Sequence, residues 1–362
     1  MSSQRQMTSN LIDTDEDIDV INDLMCSREW TDGLPVVPPT EARVWKMIEA
    51  SGLPADHLVA EVPPLNGDAT VEKIAINAVM AGCLPEYMPV IIAATEAMGI
   101  IEGMNEDIFN LRGIQVTTNP AGVAVIVNGP IRKKLNINCG RNCLGPGWRA
   151  NATIGRAVRL IQLNIGGGKP EVVDKALQGF PGKYTLCFGE NEEESVWEPL
   201  HVERGFKRED STVTVAGINS TLNIVTAMIP NEPKRIYDML NFVTDAMNVI
   251  GTNNVLLGAG DLPIMFSPGH TRMAAEMGMN KAQAKKYLYE NCGFPEDRVP
   301  KDLMRRERYE RIVTNGVARA VQKPEDIMIV VAGGPEPYHI VYMPTFGDSW
   351  AVTRLIGKPG GG

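Results

Sequence analysis

Val123-Ala124-Val125-Ile126-Val127 is an unbroken run of β-branched and small apolar residues. A strand with one wet face alternates apolar and polar residues. A continuous run predicts a strand buried on both faces. Asn128-Gly129-Pro130 follows it as a turn signal. A second run, Ile327-Met328-Ile329-Val330-Val331-Ala332, ends the same way in Gly333-Gly334-Pro335. Outward from these two runs, apolar periodicity predicts helices over 41–51 (with Thr40 as N-cap), 71–81, 85–99, 150–164, 232–247, 268–277 and 281–291. Further strands are expected over 114–118, 212–216 and 339–343. Buried strands mixed with amphipathic helices predict an α/β fold. The expected form is two α/β halves, with buried mixed sheets flanked by helices.

The chain divides on this reading into a mobile acidic N-terminal tail (1–29), a first α/β half with the candidate site (30–210) and a second half (211–362). The halves share an echo. Ala81-Gly82-Cys83-Leu84-Pro85 resembles Ala259-Gly260-Asp261-Leu262-Pro263, and Val127-Asn128-Gly129-Pro130 resembles Ala332-Gly333-Gly334-Pro335. An internal duplication would explain both.

Composition narrows the functional classes. The 362 residues carry 35 Lys+Arg against 44 Asp+Glu, a formal charge of −9. That balance argues against nucleic acid as a partner, since phosphate binding needs a cationic excess. The apolar stretch from Ala75 to Ile101 is broken by Asn77, Pro85, Glu86 and Glu96, which argues against a membrane span. No basic segment followed by an apolar one opens the chain, and six cysteines are too few for a disulfide scaffold. The expected location is cytoplasmic, with free thiols. With 35 Gly and only 8 Phe and 8 Tyr, close aliphatic packing is expected, and it suits a homo- or hetero-oligomer.

The sharpest candidate for chemistry is Cys83. Placed between a helix ending near Gly82 and one starting near Pro85, its thiol would feel a helix N-terminus, which lowers a cysteine pKa. Glu86 lies close by in sequence. The loop Gly145-Pro146-Gly147-Trp148 leads into a helix whose first turns carry Arg149, Asn151, Thr153 and Arg156. Helix N–H groups and guanidinium groups together suit a small anionic substrate. Cys139 and Cys143 are spaced C-x3-C, a weak metal or redox signal. The segment from Glu190 to His201 is rich in carboxylates. Glu192 to Glu194 fit a solvated loop, whereas Glu198 and His201 suggest an acid/base pair. Glu190, Glu198 and His201 are the alternative set, for a divalent metal serving a hydrolase, hydratase or lyase. His270, capped by Ser267 at a helix start, is expected to be neutral. His339 sits at a strand end where α/β ligand sites open. No G-x-S-x-G elbow is present.

Four motifs occur in order: W-T-D-G-L-P-V-V-P-P (Trp30–Pro39), A-G-C-L-P-E-Y (Ala81–Tyr87), R-A-N-A-T-I-G-R (Arg149–Arg156) and W-E-P-L-H-V-E-R-G-F (Trp197–Phe206). Together they resemble a bacterial family of unassigned activity, over roughly residues 30–350. That family is associated with small proteins bearing a U-G-S-C or C-G-S-C motif. The resemblance implies that Cys83, Arg149, Asn151, Glu198 and His201 recur in family motifs, and that a small thiol or selenol protein is a partner. The chain itself lacks U-G-S-C. The leading expectation is a thiol-dependent enzyme, with Cys83 as nucleophile and His201 moving protons with Glu198. Its reaction would be cleavage, addition or reduction. A non-catalytic scaffold for the small partner is the remaining alternative.

Overall fold

The computed structural model describes residues 7–102 and 108–357. The chain opens with helix α1 (Ile18–Ser27) and α2 (Glu41–Ser51), a hairpin of β1 (Leu58–Val62) and β2 (Gly67–Thr70), then α3 (Val71–Met80), α4 (Met88–Met98) and α5 (Leu111–Val116). Next come β3 (Gly122–Asn128), α6 (Ile131–Lys134), α7 (Arg149–Asn164), β4 (Cys187–Gly189), α8 (Leu200–Glu203), β5 (Thr212–Ile218) and β6 (Leu222–Val225). Then follow α9 (Ile236–Met247), α10 (Asn253–Leu256), β7 (Leu262–Phe266), α11 (Pro268–Glu276) and α12 (Lys281–Asn291). The last elements are β8 (Phe294–Pro295), α13 (Arg306–Ile312), β9 (Val313–Thr314), β10 (Val317–Ala318), β11 (Ile327–Val331), β12 (His339–Tyr342) and β13 (Val352–Leu355).

Two four-stranded mixed sheets form the centre, ordered β4-β3-β5-β13 and β11-β7-β12-β6. Their strand directions match position by position. β3 runs parallel to β4 and antiparallel to β5, which runs antiparallel to β13. β7 runs parallel to β11 and antiparallel to β12, which runs antiparallel to β6. The fourth strands are exchanged. β6 follows β5 in the chain but joins the second sheet, and β13 follows β12 but joins the first. The sequence boundary at residue 210 therefore does not separate the sheets: β5 and β13 both lie beyond it and belong to the first.

Period-two alternation explains the layering. In β3, Val123, Val125 and Val127 pack under α2, α3, α4 and α7, whereas Ala124 and Ile126 point the other way. In β11, Ile327, Ile329 and Val331 face α9 and α12, while Met328, Val330 and Ala332 meet Ala124, Ile126, Phe188 and Ala216 of the first sheet. The result is four layers: helices, sheet, sheet, helices. Every residue of β3, β5, β7 and β11 is buried, so the apolar run read from sequence is a strand covered on both faces. Full burial of one such side chain is worth about 1.5–3 kcal/mol.

Most expected elements appear within a few residues of their places. Three expectations need correction. Residues 114–118 are not a strand, because Ile114 belongs to α5. There Asn110 accepts the Gly113 N–H at 3.0 Å, and Leu111 and Ile114 bury one helical face. The acidic N-terminal segment is not all loose tail: it carries α1, and Thr8 and Ser9 donate their N–H groups to the Glu72 carboxylate. The two echoes do not superpose in topology. Ala81–Pro85 joins two helices, whereas Ala259–Pro263 enters β7. Gly333-Gly334-Pro335 ends β11, whose counterpart is β4. The true counterpart of Asn128-Gly129-Pro130 is Ser267-Pro268-Gly269, after β7.

Candidate functional site at the carboxyl ends of the strands

The carboxyl ends of β4 and β11 lie side by side. Asn191 N–H donates to Val331 O at 2.6 Å, Val331 N–H donates to Glu190 Oε1 at 3.2 Å, and Gly333 N–H donates to Cys139 O at 2.9 Å. In α/β folds a crevice outside the carboxyl strand ends is the usual place for a ligand. At these strand ends the chain gathers a dense polar cluster.

Glu190 is buried and fully engaged. Its Oε2 accepts from Asn128 Nδ2 at 2.6 Å and from the Leu200 N–H at 2.7 Å. It ties β3, β11 and α8 together rather than presenting a free ligand. Glu192 is also nearly buried, contrary to its reading as solvated loop. Its Oε1 accepts from the Gly129 N–H at 2.7 Å and from Asn128 Nδ2 at 3.1 Å, and pairs with Arg132 Nε at 3.1 Å. Arg132 is among the most buried large side chains. It donates to Gly129 O, Glu193 and Cys139 Sγ, the last at 3.7 Å. Burial opposes its charge, but Glu193 and Glu192 outweigh that and raise its pKa.

His201 lies in α8 with no exposed surface. Its Nε2 is 3.4 Å from Arg208 O, and its Nδ1 is 4.0 Å from Glu192 Oε1 with no hydrogen-bond partner among the described residues. Asn128 Oδ1 and Thr212 Oγ1 are likewise buried and unpartnered. Asn128 and Thr212 sit opposite each other across β3 and β5. Both extend the inward-facing row of their strands, Asn128 beyond Ala124 and Ile126, Thr212 before Ala216. Among the described residues, two of these orphan atoms, those of His201 and Asn128, belong to side chains next to Glu192.

The pairing of His201 with Glu198 does not form. Glu198 is exposed, and its backbone O accepts from Lys281 Nζ at 3.2 Å. The helix that would bring the two together is cut short by Pro199, so α8 begins at Leu200. Among the described residues no group of three His, Cys, Asp or Glu side chains could hold a metal ion. Glu190, Glu198 and His201 are accordingly not one ligand set.

Cys83 sits in a different place, against the outer helices. Its thiol donates to Thr153 O at 3.2 Å, and Arg149 donates to Gly82 O through Nε and Nη2 at 3.0 and 2.8 Å. Arg156 grips Asp32 with two bonds of 2.8 Å and also reaches Leu34 O. Three of the four motifs thus form one packed cluster, and the expected proximity of Cys83 to Arg149 is met. The expected lowering of the thiol pKa is not. Burial pushes Cys83 up to about 12, against the weaker pull of the Thr153 bond, Arg149 and Arg156. The turn before α4 is a short 3-10 segment at Pro85–Tyr87, so the dipole at the thiol is slight, and Glu86 stays exposed. Thr153 spends its hydroxyl on Arg149 O, and Asn151 ties Asn138 and Cys143 of the preceding loop.

His270 is saturated. Ser267 Oγ lies 2.8 Å from Nδ1, and Thr226 Oγ1 lies 3.1 Å from Nε2. Burial, with His339 adding to it, pushes its pKa down to about 3, so it is neutral as expected, for a different main reason than the helix dipole. His339 is exposed. Cys139, half-buried beside Arg132, is the cysteine that reaches the crevice; Cys143 is buried, and burial pushes it up to about 12. Sequence reading passed over Asn128, Arg132, Glu192 and Thr212. The available signal was Asn128-Gly129-Pro130 itself, an amide placed at the end of a doubly buried strand. No protein-family model matches the chain, and no curated protein matches its sequence.

Proposed function

We propose that the protein is an enzyme whose reacting centre is the crevice at the ends of β3, β4 and β11, with His201 as its proton-transfer group. One observation carries this reading: the unpartnered Nδ1 of His201, 4.0 Å from the Glu192 carboxylate. With Nε2–H directed at Arg208 O, Nδ1 presents a lone pair toward a carboxylate. Two acceptors facing each other in a buried site call for a donor between them. A substrate hydroxyl or amine would supply that donor, and Asn128 Oδ1 and Thr212 Oγ1 are further buried atoms without partners at the same strand ends. Glu190, Glu192 and Glu193 outnumber Arg132 and its exposed neighbour Lys133. The lining therefore favours a small hydroxylated or amino substrate over an anion. Cys139 at the rim keeps the thiol-assisted reading alive in place of Cys83, and a small thiol or selenol protein would meet it there.

The test is untargeted. Purified protein is incubated with a cell-metabolite extract, and consumption is followed by mass spectrometry. The wild type should consume a hydroxyl- or amine-bearing compound, and His201→Asn should do so at least about a hundredfold more slowly, as expected for loss of general acid–base catalysis. Equal consumption by the two proteins would sink the proposal. Equal consumption by Cys139→Ser would remove only the thiol from it.

A further inference from the structure

At the opposite end of β3 lies an open cleft of about 1060 Å³. It is separated from the crevice by the seven residues of β3, about 20 Å at roughly 3.3 Å per residue. Its floor is built from charges withdrawn from water. Asp174 is 5% exposed, and its Oδ2 is shared by Lys183, 14% exposed, and Arg159, 11% exposed. Its Oδ1 takes the Ala176 N–H at 3.1 Å. Arg159 holds its other partners loosely, Gln115 Oε1 at 3.2 Å and Gly168 O at 3.4 Å.

The charges do not balance. Asp32, also on this wall, takes two bonds from Arg156 and adds a weaker pull on Arg159. Three cations (Arg156, Arg159, Lys183) then face two carboxylates (Asp32, Asp174). On the rim Lys169 and Lys175 offset Glu29 and Glu171. One positive charge is left over in a recess of a protein whose formal charge is −9. A nearly buried cation without its counter-ion is costly, and a bound anion removes the cost. Burial lowers the pKa of both Lys183 and Arg159, the mark of charges short of compensation. Phe180, Tyr184 and Leu163 supply apolar and aromatic surface above this floor. The volume is that of a small-molecule site.

We propose that this cleft binds a small organic monoanion, an aromatic or branched carboxylate, with its carboxylate between Lys183 and Arg159 and its apolar body against Phe180 and Tyr184. A single excess charge matches a monoanion and not a phosphate dianion. The cleft is a separate site from the crevice and does not depend on the reaction proposed there.

Calorimetric titration of the full chain with benzoate, acetate and inorganic phosphate tests it. Benzoate should bind, with acetate and phosphate each at least about tenfold weaker, a difference of one decade in Kd. Lys183→Gln, which neutralises the excess, should weaken benzoate at least about tenfold. Asp174→Asn, which raises the excess to two, should strengthen benzoate and admit phosphate. The opposite signs of these two variants separate charge recognition from damage to the fold. No benzoate binding by the wild type, unchanged binding in Lys183→Gln, or phosphate bound more tightly than benzoate would overturn the proposal.

Discussion

His201 and Glu192 approach to 4.0 Å in the protein interior, and among the described residues the histidine nitrogen that faces the carboxylate has no hydrogen-bond partner. The carboxylate is held in place by the Gly129 N–H, Asn128 and Arg132, so it cannot turn away. Glu192→Gln keeps the shape and removes the charge that faces Arg132. Its expected cost is about 1–3 kcal/mol, the range for an under-satisfied buried group, read as a lower urea midpoint at unchanged slope. A loss below about 0.5 kcal/mol would mean that Glu192 is better solvated than its burial implies.

Asp32 and Arg156 lock the Trp30–Pro39 segment onto α7. Removing one partner of a buried pair leaves an uncompensated charge, and Arg156→Gln should cost about 3–5 kcal/mol. Asp32→Asn/Arg156→Gln together should recover part of that loss. Burial works against the Asp32 carboxylate, but Arg156 and the Leu34 N–H hold its pKa below the usual value. A depressed carboxylate stabilises the fold above its unfolded pKa and loses that contribution as pH falls through its folded pKa. The gap between wild type and the double variant should therefore close on acidification below about pH 4, the ordinary aspartate range. A gap constant from pH 7 to pH 2.5 would contradict the assignment.

His270 titrates with the opposite chemistry and the same sign. Its folded pKa, about 3, lies below the ordinary 6.5. Between those values the unfolded chain binds the proton and the folded one does not. Stability should fall with acidification, by up to about 1.4 kcal/mol per pH unit. His270→Gln should flatten that slope between pH 6 and pH 4, measured by urea unfolding at each pH. A slope identical to wild type would place the proton elsewhere.

The thiols offer a direct check on reactivity. Cys26 is exposed and Cys139 half-buried, whereas Cys83, Cys143, Cys187 and Cys292 are buried. Iodoacetamide at pH 8 should label Cys26 first and Cys139 next. Cys83, with its thiol pushed up to about 12, should react only after unfolding. Early labelling of Cys83, located by peptide mass spectrometry, would restore it as the reactive thiol.

Much of the architecture could be read from local pattern. Val123–Val127 and Ile327–Ala332 read as doubly buried strands, and α2, α3, α7, α11 and α12 follow their apolar periodicity closely. The site was legible only in fragments. His201 stood out as an acid/base candidate paired with Glu198. Its partner is Glu192, which sequence placed in a solvated acidic run. Nothing local marks which of several neighbouring glutamates will be buried; that is decided by Gly129 and Arg132, some sixty residues away. Cys83 was misjudged for a similar reason. A helix start can be read from Pro85, but the burial that outweighs it comes from α3, α4 and α7 packing together.

The exchange of β6 and β13 has a consequence for how the molecule holds together. Each sheet borrows its fourth strand from the far side of the chain, so neither half is complete alone. A chain cut between β6 and α9 would give two fragments, each carrying the fourth strand of the other's sheet. Expressed singly they should be insoluble or molten; expressed together they should reassemble. The intact chain should then melt in one step, with no temperature at which one sheet survives the other.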